Sequence, residues 1–202
     1  MRFKLVGFPI LALGILSIAI PAFSQVAPEY ERQGGWPVEV GAGGVSYDVD
    51  WGHGRMYGGA AWIDYYPRFM PSILRGLGIE AEARDISQDE HVTQENMRQD
   101  TGEGGPIYAW RHFRNFHPYA KYLIGDGSID FWTGPTSNYR HDTRIIRAPG
   151  GGFEVHVFRA WWMRADYEYQ TWPNLFTKTL DPQGFTVGFA YDFAHSGSRK
   201  RD

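Results

Sequence analysis

The sequence contains no cysteine, little net charge and, after its first twenty residues, no long hydrophobic run. Without cysteine there is no disulfide framework of the kind that small exported domains often need. A net charge of −3 gives no basic footprint for nucleic acid, so we expect no nucleic-acid partner. Because a spanning helix needs about 20 consecutive apolar residues, we expect no transmembrane helix after the N-terminal run.

The N-terminal segment has the layout of a bacterial secretory signal peptide. Arg2 and Lys4 supply positive charge, residues 5–20 are apolar, and Ala22 to Ser24 form a small-x-small cleavage site. The apolar run contains Pro9 and is shorter than the roughly 20 residues of a membrane anchor. We therefore predict a signal peptide over residues 1–24, which implies export.

The last strand carries the most informative pattern in the chain. Residues 184–193 read Gly-Phe-Thr-Val-Gly-Phe-Ala-Tyr-Asp-Phe, and successive side chains of a strand point to opposite faces. One face is therefore small and polar, whereas the other is bulky and apolar. The bulky face consists of Phe185, Val187, Phe189, Tyr191 and Phe193. This pairing is typical of a membrane β-barrel with lipid outside and a polar lumen inside.

Similar alternation recurs along the chain and predicts an all-β fold. Each predicted strand is close to the ~9–11 residues that cross a bilayer at a tilt. The sequence predicts an eight-stranded antiparallel up-and-down transmembrane β-barrel over residues 38–193, after an N-terminal segment 25–37 and before a disordered tail 194–202. The predicted strands are 38–48, 56–66, 77–86, 104–111, 118–125, 151–158, 161–170 and 185–193.

The connections between these strands alternate in length, as they do in outer-membrane barrels. Long outer loops are predicted at 87–103, 126–146 and 171–183, although the 67–76 connection is long for a periplasmic turn. Exposed aromatic residues supply much contact energy in interfaces. We therefore expect Trp132 and Tyr139 in the outer loops to be possible ligand contacts. The alternative for the aromatic residues beside the loops is a girdle at the lipid headgroups.

Charged side chains alternate onto the predicted inner faces. An eight-stranded barrel is just wide enough for side chains to fill its interior, and buried charges must pair or keep water. We therefore expect a structural network of ion pairs and hydrogen bonds in the lumen, with a proton or ion path as the alternative. The predicted members are Asp64, Glu80, Glu82, Arg84, Lys121, Glu154, His156, Arg164, Asp166 and Glu168.

Candidate chemistry is sparse. His112 and His117 have no obvious carboxylate partner for a zinc site. The Asp126–Asp130 segment begins like a calcium loop but lacks the required glycine and glutamate at its later positions. His195 is followed by a serine but lies in the polar tail beyond the last strand. We therefore expect no catalytic residue, no metal and no cofactor.

Three stretches carry a resemblance to a known family. Pro118–Gly125 (PYAKYLIG), Arg164–Gln170 (RADYEYQ) and the Phe185–Phe193 strand resemble small bacterial outer-membrane β-barrel proteins of the OmpA-like outer membrane protein beta-barrel domain group. The resemblance implies location in the outer membrane, lipid contact, and insertion by the barrel assembly machinery. That machinery would recognise Phe193 at the end of the last strand, although further residues follow it here.

Three functional hypotheses remain open at this point. The first is an outer-membrane barrel with a structural or surface-interaction role, in adhesion or envelope integrity, and no catalysis. The second is a lipid-modifying barrel enzyme, which needs a polar catalytic pair on the outer face at headgroup depth. The third is a soluble, lipocalin-like periplasmic barrel that binds a small apolar ligand, which requires the apolar face of each strand to lie inside.

Overall fold

The computed structural model describes residues 36–50, 54–90, 95–133, 140–175 and 178–194. They form ten strands and a short 3-10 turn, Ser72–Leu74. No helix in these ranges has the length and apolar character to cross a membrane. The strands are β1 (Val38–Asp48), β2 (Met56–Tyr65), β3 (Leu77–Glu90), β4 (Glu95–Ala109), β5 (Phe116–Thr133), β6 (Arg140–Phe158), β7 (Trp161–Tyr169), β8 (Trp172–Leu175), β9 (Lys178–Leu180) and β10 (Gln183–Asp192).

Eight of these strands close into an antiparallel barrel in the order β1-β10-β7-β6-β5-β4-β3-β2. The β1 strand pairs with β2 on one side and with β10 on the other, so the first and last barrel strands seal the sheet. Closure removes the unpaired edges that a sheet would otherwise expose. The eight-stranded antiparallel barrel predicted from alternation is confirmed.

Four neighbouring strands are longer than the sequence pattern predicted. Those strands, β3 to β6, contain 14 to 19 residues, whereas the other four barrel strands contain 9 to 11. The predicted outer loops at 87–103 and 126–146 are therefore wrong over most of their length, and Trp132 lies on β5, opposite Asn96. The hydrophobic alternation disappears there because polar residues occupy the outward row, so the period that identifies a half-buried strand is lost.

The two faces of the barrel wall differ as the last strand predicted. Phe185, Val187, Phe189 and Phe193 are exposed on the outside and Tyr191 is half-buried beside them, whereas Thr186 and Asp192 are buried inside. The same holds for β3, where Glu80, Glu82 and Arg84 point inward. The lipocalin-like alternative is therefore wrong, because it requires the apolar row inside and the charges in solvent.

An apolar cluster closes the outer end of the barrel. It contains Tyr47, Met56 and Ile129 from the wall together with Trp172 and Leu180 from the β8–β9 hairpin, all buried. The hairpin reaches this position because Gly127 of β5 leaves room for the Trp172 ring, where a Cβ atom would overlap it. The lumen is thus capped at this end by packed side chains.

Some sequence predictions concern residues outside the described ranges. The signal peptide 1–24, residues 25–35 of the N-terminal segment, Tyr139 and residues 195–202 of the tail are among these. They stay predictions.

Candidate functional site

Arg164 of β7 lies at the centre of the polar interior. Its guanidinium donates to Asp64 Oδ2 at 3.0 Å and to Glu80 Oε2 at 2.6 Å, and Nε donates to the Tyr119 hydroxyl at 2.7 Å. The side chain is 1% exposed. Because β2, β3, β5 and β7 contribute to these contacts, a single arginine ties four strands of the wall together.

Lys121 of β5 forms the second node of this network. Its ammonium lies 2.6 Å from Glu82 Oε2, 3.0 Å from both Glu80 Oε1 and Asp166 Oδ2, and 3.1 Å from Glu168 Oε2. All of these side chains are buried. Four carboxylates therefore surround one lysine and offer its ammonium more acceptors than its three protons can serve.

Arg84 of β3 is the third node and lies toward the apolar outer cap. It donates to Glu82 Oε1 at 2.6 Å and to Glu168 Oε1 at 2.9 Å. Its guanidinium also forms an ion pair with Glu103, whose Oε1 lies 3.5 Å away. Its guanidinium also covers the Tyr47 ring, 4.3 Å from the ring centroid. The network therefore contacts the apolar cluster directly at Tyr47.

Two predicted members of the network lie apart from these three nodes. His156 is half-buried where β6 ends, and its Nε2 lies 2.8 Å from the Arg159 carbonyl oxygen. A register shift between His156 and Phe158 turns the chain there, which places the ring at the rim. Glu154 is buried near the same end, with His117 Nδ1 at 3.9 Å.

Sequence reasoning missed several interior residues that the structure brings into the network. Glu103 was hidden because it fell in a predicted loop, whereas Glu39 and Tyr47 alternate with outward residues of β1 and were detectable from that pattern. Gln170 bridges Glu103 and Glu168 at 2.7 and 2.9 Å. These additions make the interior more acidic than the sequence-based list indicated.

The outer surface carries a different set of polar contacts. On β5 and β6, Asp130 and His141 are opposite each other, and Asp130 Oδ1 lies 2.6 Å from His141 Nδ1. The Thr143 hydroxyl lies 3.1 Å from His141 Nε2. On β3 and β4, Arg98 donates to Asp85 at 2.9 Å and lies 3.2 Å from Asp100. Charged pairs therefore mark the outward face of the extended strands.

Comparisons with known proteins agree with this architecture. The family model for the outer membrane protein beta-barrel domain matches residues 10–193. The fold is similar to neisserial surface protein A (TM-score 0.57, 12% identity, covering 77% of this chain and 96% of that one). It is also similar to Ail, the attachment invasion locus protein of Yersinia pestis (TM-score 0.53, 15% identity, 76% and 95% covered). No curated protein matches the sequence.

Proposed function

The chain belongs to the outer membrane protein beta-barrel domain family and resides in the bacterial outer membrane, and from this premise we propose that its role lies at the cell surface. The barrel would act in adhesion or envelope integrity, without catalysis in its lumen. The observation that carries this proposal is the extension of β3 to β6 beyond the other barrel strands.

The packed interior supports a role outside the lumen. Arg164, Lys121 and Arg84 fill the middle of the barrel with carboxylates around them, and the apolar cluster with Trp172 caps the outer end. An eight-stranded barrel has no spare width once side chains fill it. A ligand or partner is therefore bound most readily on the outer surface.

The extended strands offer that surface. The longest of them, β5 and β6, contain 18 and 19 residues, whereas β1 contains 11, so the sheet rises above the rest of the wall. Its outward face presents charged pairs such as Arg98–Asp85. The two similar barrels named above are a surface protein and an attachment protein, which agrees with a surface role.

We expect Trp132, which lies on β5, and Tyr139, which the sequence predicts as a ligand contact, to supply the contact energy. Cells that lack the protein would be complemented with the wild-type chain or with Trp132→Ala/Tyr139→Ala, and retention on glass under flow would be measured. Loss of a hot-spot aromatic costs about 2 kcal/mol or more, roughly thirtyfold in affinity. Retention should therefore fall to that of cells without the protein. Trp36→Ala, at an exposed tryptophan before β1, is the matched control.

Survival of the cells in detergent distinguishes a role in adhesion from a role in envelope integrity. If the wild-type chain raises retention and the double variant loses it, the role is surface interaction. If the chain raises detergent survival only, and the variants do so equally, the role is structural. A chain that changes neither measurement would contradict a surface role.

The remaining partners follow from family membership and exposure. We propose that the outward row from Phe185 to Phe193 contacts outer-membrane lipid. We also propose that the barrel assembly machinery recognises this strand through Phe193 during insertion.

A second candidate function is acyl transfer at the outer surface, favoured by the Asp130–His141–Thr143 constellation. If His141 donates Nδ1–H to Asp130, its Nε2 can accept the proton of the Thr143 hydroxyl as that oxygen attacks an ester carbonyl. His141 would give that proton to the departing alcohol as the acyl-threonine forms. It would then take a proton from the water that hydrolyses the acyl-threonine and return it to the threonine oxygen. The substrate class would be a lipid ester in the outer leaflet.

Labelling by a fluorophosphonate probe tests this second candidate. Outer membranes with the wild-type protein should label, and Thr143→Val, which keeps the side-chain shape, should abolish the label. His141→Ala should lower it strongly. Ser128→Ala, opposite Thr143 in register, is the matched control. Absence of wild-type labelling, or equal labelling of Thr143→Val, would leave the contacts as surface hydrogen bonds only.

A further inference from the structure

Three carboxyl side chains converge inside the barrel at one end of the central network, where one of them, Asp64, also contacts Arg164. Glu39 of β1, Asp64 of β2 and Glu154 of β6 are all buried, and ligand oxygens of the three lie within 4.8 Å of one another. We call these residues the acidic triad. They lie toward the end of the barrel at which β1 begins and β2 and β6 end, which is the periplasmic end when the long strands face outward.

Several polar atoms of the acidic triad have no hydrogen-bond partner in the described part of the chain. Among these residues, both carboxylate oxygens of Glu154, Oε1 of Glu39 and Oδ1 of Asp64 are buried without one. Independently, the buried hydroxyl of Tyr66 has no hydrogen-bond partner among the described residues either, and Asp64, Glu154 and Glu39 all act on it electrostatically. Tyr66 is 5% exposed. Buried polar groups are seldom left unsatisfied, so each such group calls for an explanation.

Protein cations offset the acidic triad only in part. Arg164 reaches Asp64 at 3.0 Å, but Arg111 stands 3.9 Å from Glu39 and covers the Tyr66 ring. His117 Nδ1 likewise stands 3.9 Å from Glu154, and the ring is a cation only when protonated. Among all described residues, the buried set contains nine acidic side chains and only three lysines and arginines. Carboxylates held this close need a counter-charge, because burying an unpaired charge is costly.

We propose that the acidic triad and the Tyr66 hydroxyl bind one Ca²⁺ ion inside the periplasmic end of the barrel. The donors are all oxygen, which suits a hard cation and neither zinc nor copper. Ca²⁺ takes oxygens at about 2.3–2.6 Å in a flexible geometry, so ligands on opposite sides of it are about 5 Å apart. Mg²⁺ requires about 2.1 Å and near-octahedral geometry, and the triad would have to contract to provide it.

A small cavity lies at the periplasmic rim, on the same side of the barrel as the acidic triad. It has a volume of about 20 Å³ and is lined by Tyr66, Arg111, Arg68 and Asp192, next to the start of β1. This volume holds about one water molecule or one ion. Since Tyr66 lines the cavity and also interacts electrostatically with the acidic triad, the ion is expected to enter from this rim.

Calorimetric titration of the protein extracted from outer membranes in detergent and freed of metal by EDTA tests this inference. CaCl₂ should bind at one ion per chain, and MgCl₂ should bind at least ~10-fold more weakly. Bound Ca²⁺ should also raise the temperature at which the barrel loses its compact gel mobility, because a ligand that binds only the folded state stabilises it.

Variants locate the ion. Glu154→Gln should weaken Ca²⁺ binding by ~10-fold or more, and Tyr66→Phe, which keeps the buried ring, should weaken it while the barrel still folds. Asp48→Asn, at an exposed carboxyl at the other end of β1, is the matched control and should bind as the wild type does. The inference is overturned if the wild-type protein takes up no Ca²⁺ at millimolar concentration. Unchanged binding by Tyr66→Phe and Glu154→Gln would overturn it equally.

Discussion

Arg164→Met is expected to lower the free energy of unfolding by about 3–5 kcal/mol, because it removes one partner of a buried ionic network. The methionine retains most of the aliphatic stem but leaves Asp64 and Glu80 without the guanidinium that lies 3.0 and 2.6 Å from them. It also removes the bond to the Tyr119 hydroxyl. Urea titration in lipid vesicles, followed by gel mobility of unboiled samples, measures the change.

A surface arginine provides the control for this prediction. Arg98 pairs with Asp85, but the two side chains are 55% and 61% exposed. Since water and salt screen such a pair, Arg98→Met should leave the free energy of unfolding unchanged within error. The contrast between the two substitutions separates burial of the charge from loss of an arginine as such.

A compensating substitution tests the physical cause. If the loss in Arg164→Met comes from the excess of carboxylates left around Lys121, adding Glu80→Gln should recover part of the stability, since the effects of substitutions within one network are not additive. A hydrated interior would behave differently: Arg164→Met would then cost no more than Arg98→Met. That outcome would mean that the central network contributes little to stability.

The sequence contained enough information to predict the strand segments whose outward row is apolar, such as the first parts of β1 and β3. Strand β1 lies over Val38–Asp48 as predicted, because its outward residues alternate with inward ones along its whole length. In β3, the inward Glu80, Glu82 and Arg84 were also recognisable, since charged residues alternate there with alanine and isoleucine. In the first part of both strands the outward face is apolar and charged side chains lie on the inward face. Side chains therefore alternate in character with a period of two, which is the pattern that predicts a strand.

The upper strands were not predictable for the same physical reason. Where β4 and β5 rise above the rest of the wall, Asp100 and Ser128 occupy the outward row, so no apolar outward face remains to mark the strand. Tertiary pairing with neighbours then decides the structure rather than local pattern. Glu103 was hidden in this region, although its carboxylate belongs to the interior.

The pairing of acidic with basic side chains in the interior also could not be predicted from one sequence. Arg164 and Asp64 are 100 positions apart in the chain, and their contact depends on the register of every strand between them. A register slip of one residue would reverse the facing of a whole strand. The alternation therefore predicted which charges lie inside, whereas closure of the barrel determines which acid meets which base.

Val187→Arg should destabilise the barrel in lipid by about 2–4 kcal/mol, which is the cost of an arginine on the lipid face near the bilayer midplane. Val187 is exposed on the outside of β10, midway along the strand, between Gly44 of β1 and Ala165 of β7. Neither neighbour offers a polar group that could accept the guanidinium. Unfolding of the protein in vesicles gives the difference directly.

Two further variants test whether the loss of stability in Val187→Arg depends on the charge and on the depth of the side chain in the bilayer. Val187→Met introduces a long uncharged side chain at the same position and should have a much smaller effect. Gln183→Arg places the charge on the same face at the end of β10, where the cost falls to about 0–1 kcal/mol because the guanidinium reaches the interface. Equal effects of Val187→Arg and Gln183→Arg would contradict a lipid-facing row, since an aqueous surface accepts arginine at either position. A graded loss that follows depth requires the aromatic face of β10 to lie in the hydrocarbon.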